Sequence, residues 1–96
     1  MAGYVLSPQA EQDLRNIYDY TINTWGIELF TAYRNFLNTA LDAIVTDPFL
    51  VGSKELDDLS VGCRLYRVEH HYIAYRHKGK LIEVGCVLHE RMHFVG

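Results

Sequence analysis

The apolar pattern of this chain changes period once, and that change dictates two kinds of structure in a fixed order. Between Pro8 and Asp47 apolar side chains recur every three or four residues, whereas after Gly62 they alternate one by one. The first spacing lines one side of a helix and the second lines one face of a strand. A chain written this way places helices first and an antiparallel sheet after them, which excludes both an all-helical bundle and an alternating βαβ fold.

The helical part carries its own boundaries. A short β-prone run, GYVL, stops at Ser7-Pro8. Serine caps a helix through its hydroxyl, and proline at the first helical position loses no backbone bond because its N–H would be unpaired there anyway. Ala10, Leu14, Ile17, Tyr18, Thr21, Ile22 and Trp25 then form the apolar stripe of a first helix. Gly26 suits the position that ends it. Phe30, Tyr33, Leu37, Ala40, Leu41 and Ile44 form the stripe of a second helix, closed by Asp47-Pro48 because the residue before proline is pushed out of helical geometry. With almost no linker between them, the two helices make an antiparallel hairpin. The polar, acidic stretch FLVGSKELDDLSVG reads as a connecting loop.

Three strands follow, CRLYRV, HYIAYRH and LIEVGCVL, separated by Glu69-His70 and by Lys78-Gly79-Lys80. Connections this short join antiparallel neighbours. Simple alternation assigns Cys63, Leu65, Ile73, Tyr75, Ile82, Val84, Cys86 and Leu88 to the core. It leaves Arg64, Tyr66, Tyr72, Arg76 and His89 on a second face. The expected fold is therefore α+β: an N-terminal strand, then an antiparallel helical hairpin packed on one face of an antiparallel sheet, in the order β-α-α-β-β-β. Residues 1–96 fit one domain, since 96 residues with 49% hydrophobic content supply one modest core. Cys63 and Cys86 are expected to be free thiols, because two strand spacings separate them by roughly 10 Å.

Function classes narrow by the same kind of argument. Residues 89–93 spell HERMH, a match to HExxH, in which two histidines one helical turn apart bind zinc and a glutamate activates water. That chemistry needs a helix. Here the motif follows a strand directly and only Phe94, Val95 and Gly96 come after it, too few to nucleate one. No metal site is expected, no nucleophile or phosphate loop is in evidence, and no cofactor or catalytic set is assigned. The N-terminus shows neither a basic leader nor a long apolar run, so a cytoplasmic protein without a membrane span is expected.

Charge is divided along the chain. Residues 1–60 carry nine acidic residues against three basic ones, while residues 61–96 carry six basic against three acidic and all five histidines. The sheet half can thus meet an anionic partner. Arg64, Tyr66, Tyr72, Arg76, His89 and Arg91 are the candidates for target binding, Arg and Tyr being types that anchor interfaces. Net charge of −3 taken alone argues against a protein that coats nucleic acid, and no direct sequence-specific nucleic-acid binding is expected.

Six segments in order resemble the ParE-type toxins of bacterial type II toxin–antitoxin modules, in the RelE/ParE superfamily. YVLSPQAEQDLRNIYDY is similar to the family's opening strand and first helix, Trp25-Gly26 to its inter-helix "WG", and Asp47-Pro48 to its usual helix end. Gly62-Cys63-Arg64 resembles its "GYR", His71-Tyr72-Ile73-Ala74-Tyr75-Arg76 its "HVIFYR", and Val87-Leu88-His89-Glu90-Arg91-Met92 its "VLHxRM". The resemblance implies a toxin that binds and poisons DNA gyrase, is not an enzyme, and is neutralised by a ParD-type antitoxin. Tyr18, Trp25, Tyr33 and Phe36 on the hairpin are the implied antitoxin contacts. The sister RelE-like branch implies instead a ribosome-dependent messenger ribonuclease. Arg64 and His89 keep polar character on that pattern, but Tyr72 stands where arginine is expected and Val95 where a late tyrosine falls. A third possibility is an antitoxin-binding module that has not retained toxicity.

Overall fold

A computed structural model describes residues 3–55 and 63–89. The elements are β1 (Tyr4–Leu6), α1 (Pro8–Trp25), α2 (Ile27–Thr46), β2 (Ser53–Glu55), β3 (Cys63–Val68), β4 (His71–Lys78) and β5 (Leu81–His89). The five strands form one sheet in the order β1-β5-β4-β3-β2.

Both helices begin and end where their local chemistry requires. The Ala10 N–H donates to the Ser7 Oγ at 3.0 Å, and the Ser7 hydroxyl donates in turn to the Gly85 carbonyl at 2.6 Å. One cap therefore starts α1 and ties it to β5. Gly26, at φ 94, ends α1 through its N–H to the Ile22 carbonyl and lets α2 start at the next residue. A side chain there would be strained, since positive φ is costly for any residue with a Cβ.

Two features of the expected fold need correction. The sheet is mixed, because β1 runs parallel to β5, with Tyr4 beside Ile82 and Leu6 beside Val84. Parallel neighbours need a long crossover, and here the helices and the other three strands supply it. The stretch read as a loop also contains β2, which extends the β3 edge through Ser53 opposite Tyr66 and Glu55 opposite Arg64. Three polar residues are too short to show a period.

The faces differ as well. Residues directly opposite in an antiparallel ladder share a face. Tyr75, 1% exposed, and Ile73 lie in the core beneath the helices. Their β3 partners are Arg64 and Tyr66, so these two and Val68 face the helices, whereas Cys63, Leu65 and Arg67 face away. The expected assignment of β3 is reversed. In β5 the pairing shifts by one residue, with Tyr75 opposite Val84 but Ala74 opposite Cys86. Gly85 is the extra residue of this bulge, and a bulge switches which alternate residues point inward. Ile82 and Val84 are core residues as expected, but beyond Gly85 it is Val87 that is buried and Cys86 and Leu88 that share the outer face.

The core consists of Ala10, Leu37, Leu41 and Ile44 from the helices against Val68, Ile73, Tyr75, Ile82, Val84 and Val87. Tyr75 reaches furthest, its hydroxyl donating to the Pro48 carbonyl at 2.6 Å. Where β1 ends, α1 takes over the edge of β5: the Val87 N–H donates to Asp13 Oδ2 at 3.0 Å.

Candidate functional site

The register splits the predicted target-binding residues between two places. Tyr72 and Arg76 lie on the outer face, and Arg64, Tyr66 and His89 lie on the helix side. Arg91 lies outside the described residues, as does all of HERMH after His89, the last residue of β5. Arg64 is not available as a free arginine. Its Nη2 and Nε donate to Ser53 Oγ at 2.8 and 3.3 Å, and its guanidinium carbon sits 4.9 Å from the centre of the Phe49 ring. Phe49 also meets His77 edge to face at 6.0 Å. Arg64 therefore fastens β2 and the segment before it to β3.

At the other end of the sheet, His71 and His89 are cross-strand partners with ring centres 5.0 Å apart. The Tyr33 hydroxyl is hydrogen-bonded to His71 Nδ1, which joins α2 to this pair. Tyr66 packs against the core cluster and lines a groove of about 460 Å³ between α2 and β3, together with Phe36, Ala40 and Val68.

The outer face is chemically distinct. Among the described strand residues Lys54, Arg67, Arg76 and Lys78 are all exposed there, against one carboxylate, Glu83, which pairs with Arg76 at 3.5 Å. Arg67 lies over the Tyr72 ring at 5.8 Å. Beside the Arg76–Glu83 pair runs a channel of about 470 Å³ lined also by Val5, Cys63, Ala74, Gly85 and Cys86 among others. Sequence reading missed Arg67 and Lys54 because it turned β3 over and left β2 unrecognised. The detectable signal was Gly85, since a glycine inside a strand often marks a bulge.

The hairpin candidates also divide. Trp25 is 63% exposed and Phe36 48% exposed, whereas Tyr18 and Tyr33 are half-buried against the core. Ile22, Ile27 and Leu29 join Trp25 around the tip of the hairpin, forming exposed apolar surface that residue type alone did not reveal.

Both cysteines are free thiols, as expected, but they are not core residues under the helices. Burial pushes the Cys63 thiol above its ordinary value of 9.0, partly opposed by Arg76; burial does the same to Cys86, reinforced by Asp13 and Cys63. Burial likewise raises Tyr18 above 10.0, against the pull of Arg34. In each case the unfolded chain ionises first. The stabilisation is fully present below the unfolded pKa and is lost as pH rises through the folded one. Thermal melts from about pH 8 to about pH 11 should therefore show a falling midpoint, with a shallower fall in a Cys63→Ala, Cys86→Ala variant. Equal slopes in the two proteins would show that the thiols contribute nothing to it.

Comparison with known proteins settles the family. Residues 4–94 match the family described as the ParE toxin of type II toxin–antitoxin system, parDE. The chain belongs to the ParE toxin family. Among relatives, the ParE toxin of Escherichia coli is 34% identical over 95 residues, covering 96% of this chain and 88% of the relative. Toxin ParE1 of Mycobacterium tuberculosis is 33% identical over 90 residues, covering 93% and 90%. Solved structures share the fold. The chromosomal ParDE system of P. aeruginosa superposes with a TM-score of 0.71 at 19% identity, covering 93% of this chain and 96% of that one. The YoeB–YefM complex of Staphylococcus aureus gives 0.66 at 20% identity, covering 93% and 97%. This ParE-type toxin is thus the toxin component of a toxin–antitoxin system, on a RelE/ParE-like α+β fold. Among the described residues no helix is long and apolar enough to cross a membrane.

Proposed function

We propose that this ParE-type toxin acts in the cytoplasm by binding DNA gyrase and so blocking replication, and that a ParD-type antitoxin neutralises it by covering the helical hairpin. The observation that carries the reading is the family match across residues 4–94, with relatives that are themselves ParE toxins. Antitoxin binding is supported by the exposed apolar tip around Trp25 and by Phe36 beside its groove, surface of the kind that partner proteins cover. Arrest by binding, without catalysis, is supported by the placement of the basic groups. Arg64 and His89, the two positions that keep polar character on the ribonuclease pattern, do not converge. His89 stands opposite His71, which stands opposite Val68. Arg64 is thus about 13 Å away along the strand direction and roughly 10 Å across it. Groups that share a proton transfer must come within hydrogen-bond reach of one substrate atom.

A gyrase supercoiling assay with purified components tests the reading, with translation run in parallel. Inhibited supercoiling, accumulated cleaved DNA and intact translation are expected, and a ParD-type antitoxin should restore activity. The second reading, a ribosome-dependent ribonuclease, comes from the sequence resemblance to the sister RelE-like branch; the YoeB–YefM likeness adds only a shared fold. Messenger cleavage on the ribosome with normal supercoiling would establish it. Neither effect, with antitoxin still bound, would identify a module that has lost toxicity.

A further inference from the structure

We propose that the outer face of the sheet is a docking strip for an acidic polypeptide segment bearing apolar side chains. Two of the target-binding candidates, Tyr72 and Arg76, lie on this face, but the inference rests on the chemistry of the face itself and holds whichever target the toxin has.

Charge complementarity selects the partner. The helices carry five carboxylates (Glu11, Asp13, Asp19, Glu28, Asp42) against Arg15 and Arg34, while the outer face carries Lys54, Arg67, Arg76 and Lys78 against Glu83. Among the described residues the helices and the outer face of the sheet therefore have opposite sign. An acidic chain is drawn to the outer face and repelled from the helices, which fixes the side of approach.

The floor of the strip selects against a partner that is merely anionic. The channel of about 470 Å³ crosses β1, β5, β4 and β3; Arg76 and Glu83 line it as an ion pair, and beside them its floor is small or apolar, with Val5, Ala74, Gly85, Cys63 and Cys86. The buried Cys63 and half-buried Cys86 thiols, both with raised pKa values, stay protonated at neutral pH and behave as small hydrophobes. Gly85 is the narrowest contributor. A β-carbon there would meet only the Ala74 carbonyl oxygen at 3.8 Å, so the absent side chain leaves room above the sheet. Apolar side chains of a bound segment fill that room, while its carboxylates reach Arg76 at the rim and Arg67 farther along the same face. Nucleic acid matches the cations but offers nothing to the floor. It also meets a chain of net charge −3.

Fluorescence anisotropy with the whole protein tests this, using a labelled peptide in which leucines recur among glutamates. Three comparison probes are the same peptide with serine for leucine, the same peptide with lysine for glutamate, and a single-stranded oligodeoxynucleotide. The Glu/Leu peptide should bind at least about tenfold more tightly than any of the three. Binding should weaken with salt and should slow alkylation of Cys86. Arg67→Glu with Arg76→Glu should reduce affinity at least about tenfold, as should Gly85→Val, which fills the channel from its floor. Should the double charge reversal fail to melt cooperatively, Arg76→Gln alone serves in its place. Equal binding of the serine peptide, tighter binding of the oligonucleotide, no saturable binding, or affinity unchanged by Gly85→Val would each overturn the proposal. Gyrase inhibition is read independently, so either proposal can fail while the other stands.

Discussion

Leu41→Ala should lower the stability of this toxin by about 2 to 5 kcal/mol, the range for removing a buried leucine. Leu41 is 4% exposed and lies in one cluster with Leu37, Ile44 and the inward residues of β4 and β5. That cluster joins both helices to the sheet, so little can move to fill a cavity within it. In a chain of 96 residues such a loss lowers the melting temperature on the order of 10 °C or more. Leu14 occupies the same kind of stripe position on α1 but is only half-buried, so Leu14→Ala should cost less, roughly 1 to 2 kcal/mol, in proportion to the smaller apolar area removed from contact. Urea denaturation of both variants measures the difference. Equal losses would mean that α1 contributes as much to the core as α2 does.

That contrast also marks how far sequence reading reaches. A helix stripe was legible because its period, its Ser7-Pro8 start and its Gly26 stop are all local properties of the chain. So was the hairpin, since Tyr18 on α1 meets Phe30 on α2 edge to face at 5.5 Å, eight residues before Gly26 and four after it. Depth was not legible along a stripe. Trp25 and Ile22 continue the pattern of Ala10, yet they project at the exposed hairpin tip because the sheet does not reach that far.

The sheet shows a different limit. Faces follow from strict alternation, and alternation fails after one inserted residue, which turns every later side chain over. At Gly85 that insertion exchanged the roles of Cys86 and Val87, and with them the surroundings of His89. On β3 the error arose from residue type. Cysteine was assigned inward and arginine outward, whereas Arg64 lies on the helix side by stretching its guanidinium to Ser53 and Phe49 at the sheet margin. The candidate site was accordingly half legible. Arg76 and Tyr72 belong to the outer face as read, while Arg67 and Lys54 emerge only from the register.

Arg64 gives the second large effect, because the reversed face changes what its removal does. An arginine on an open face can be truncated with a loss of about 0 to 1 kcal/mol, as expected for Arg76, whose partner Glu83 is solvent-accessible. Arg64→Ala instead removes the donors to the Ser53 hydroxyl and carbonyl and the cation over Phe49. Hydrogen bonds from a charged donor contribute roughly 1.5 to 3 kcal/mol, and a partly exposed cation–π contact about 0.5 to 1. These overlap, so a loss of about 2 to 3 kcal/mol is expected, concentrated where β2 joins the sheet. Arg64→Lys should recover only part of it, since a single ammonium cannot stack on Phe49 and bridge both Ser53 oxygens as the planar fork does. Hydrogen exchange separates this role from direct target contact. Faster exchange at residues 49–55 in Arg64→Ala, with β4 and β5 unchanged, places the defect in the fastening of β2. Native exchange throughout, with gyrase inhibition lost, would instead make Arg64 a residue that touches the target.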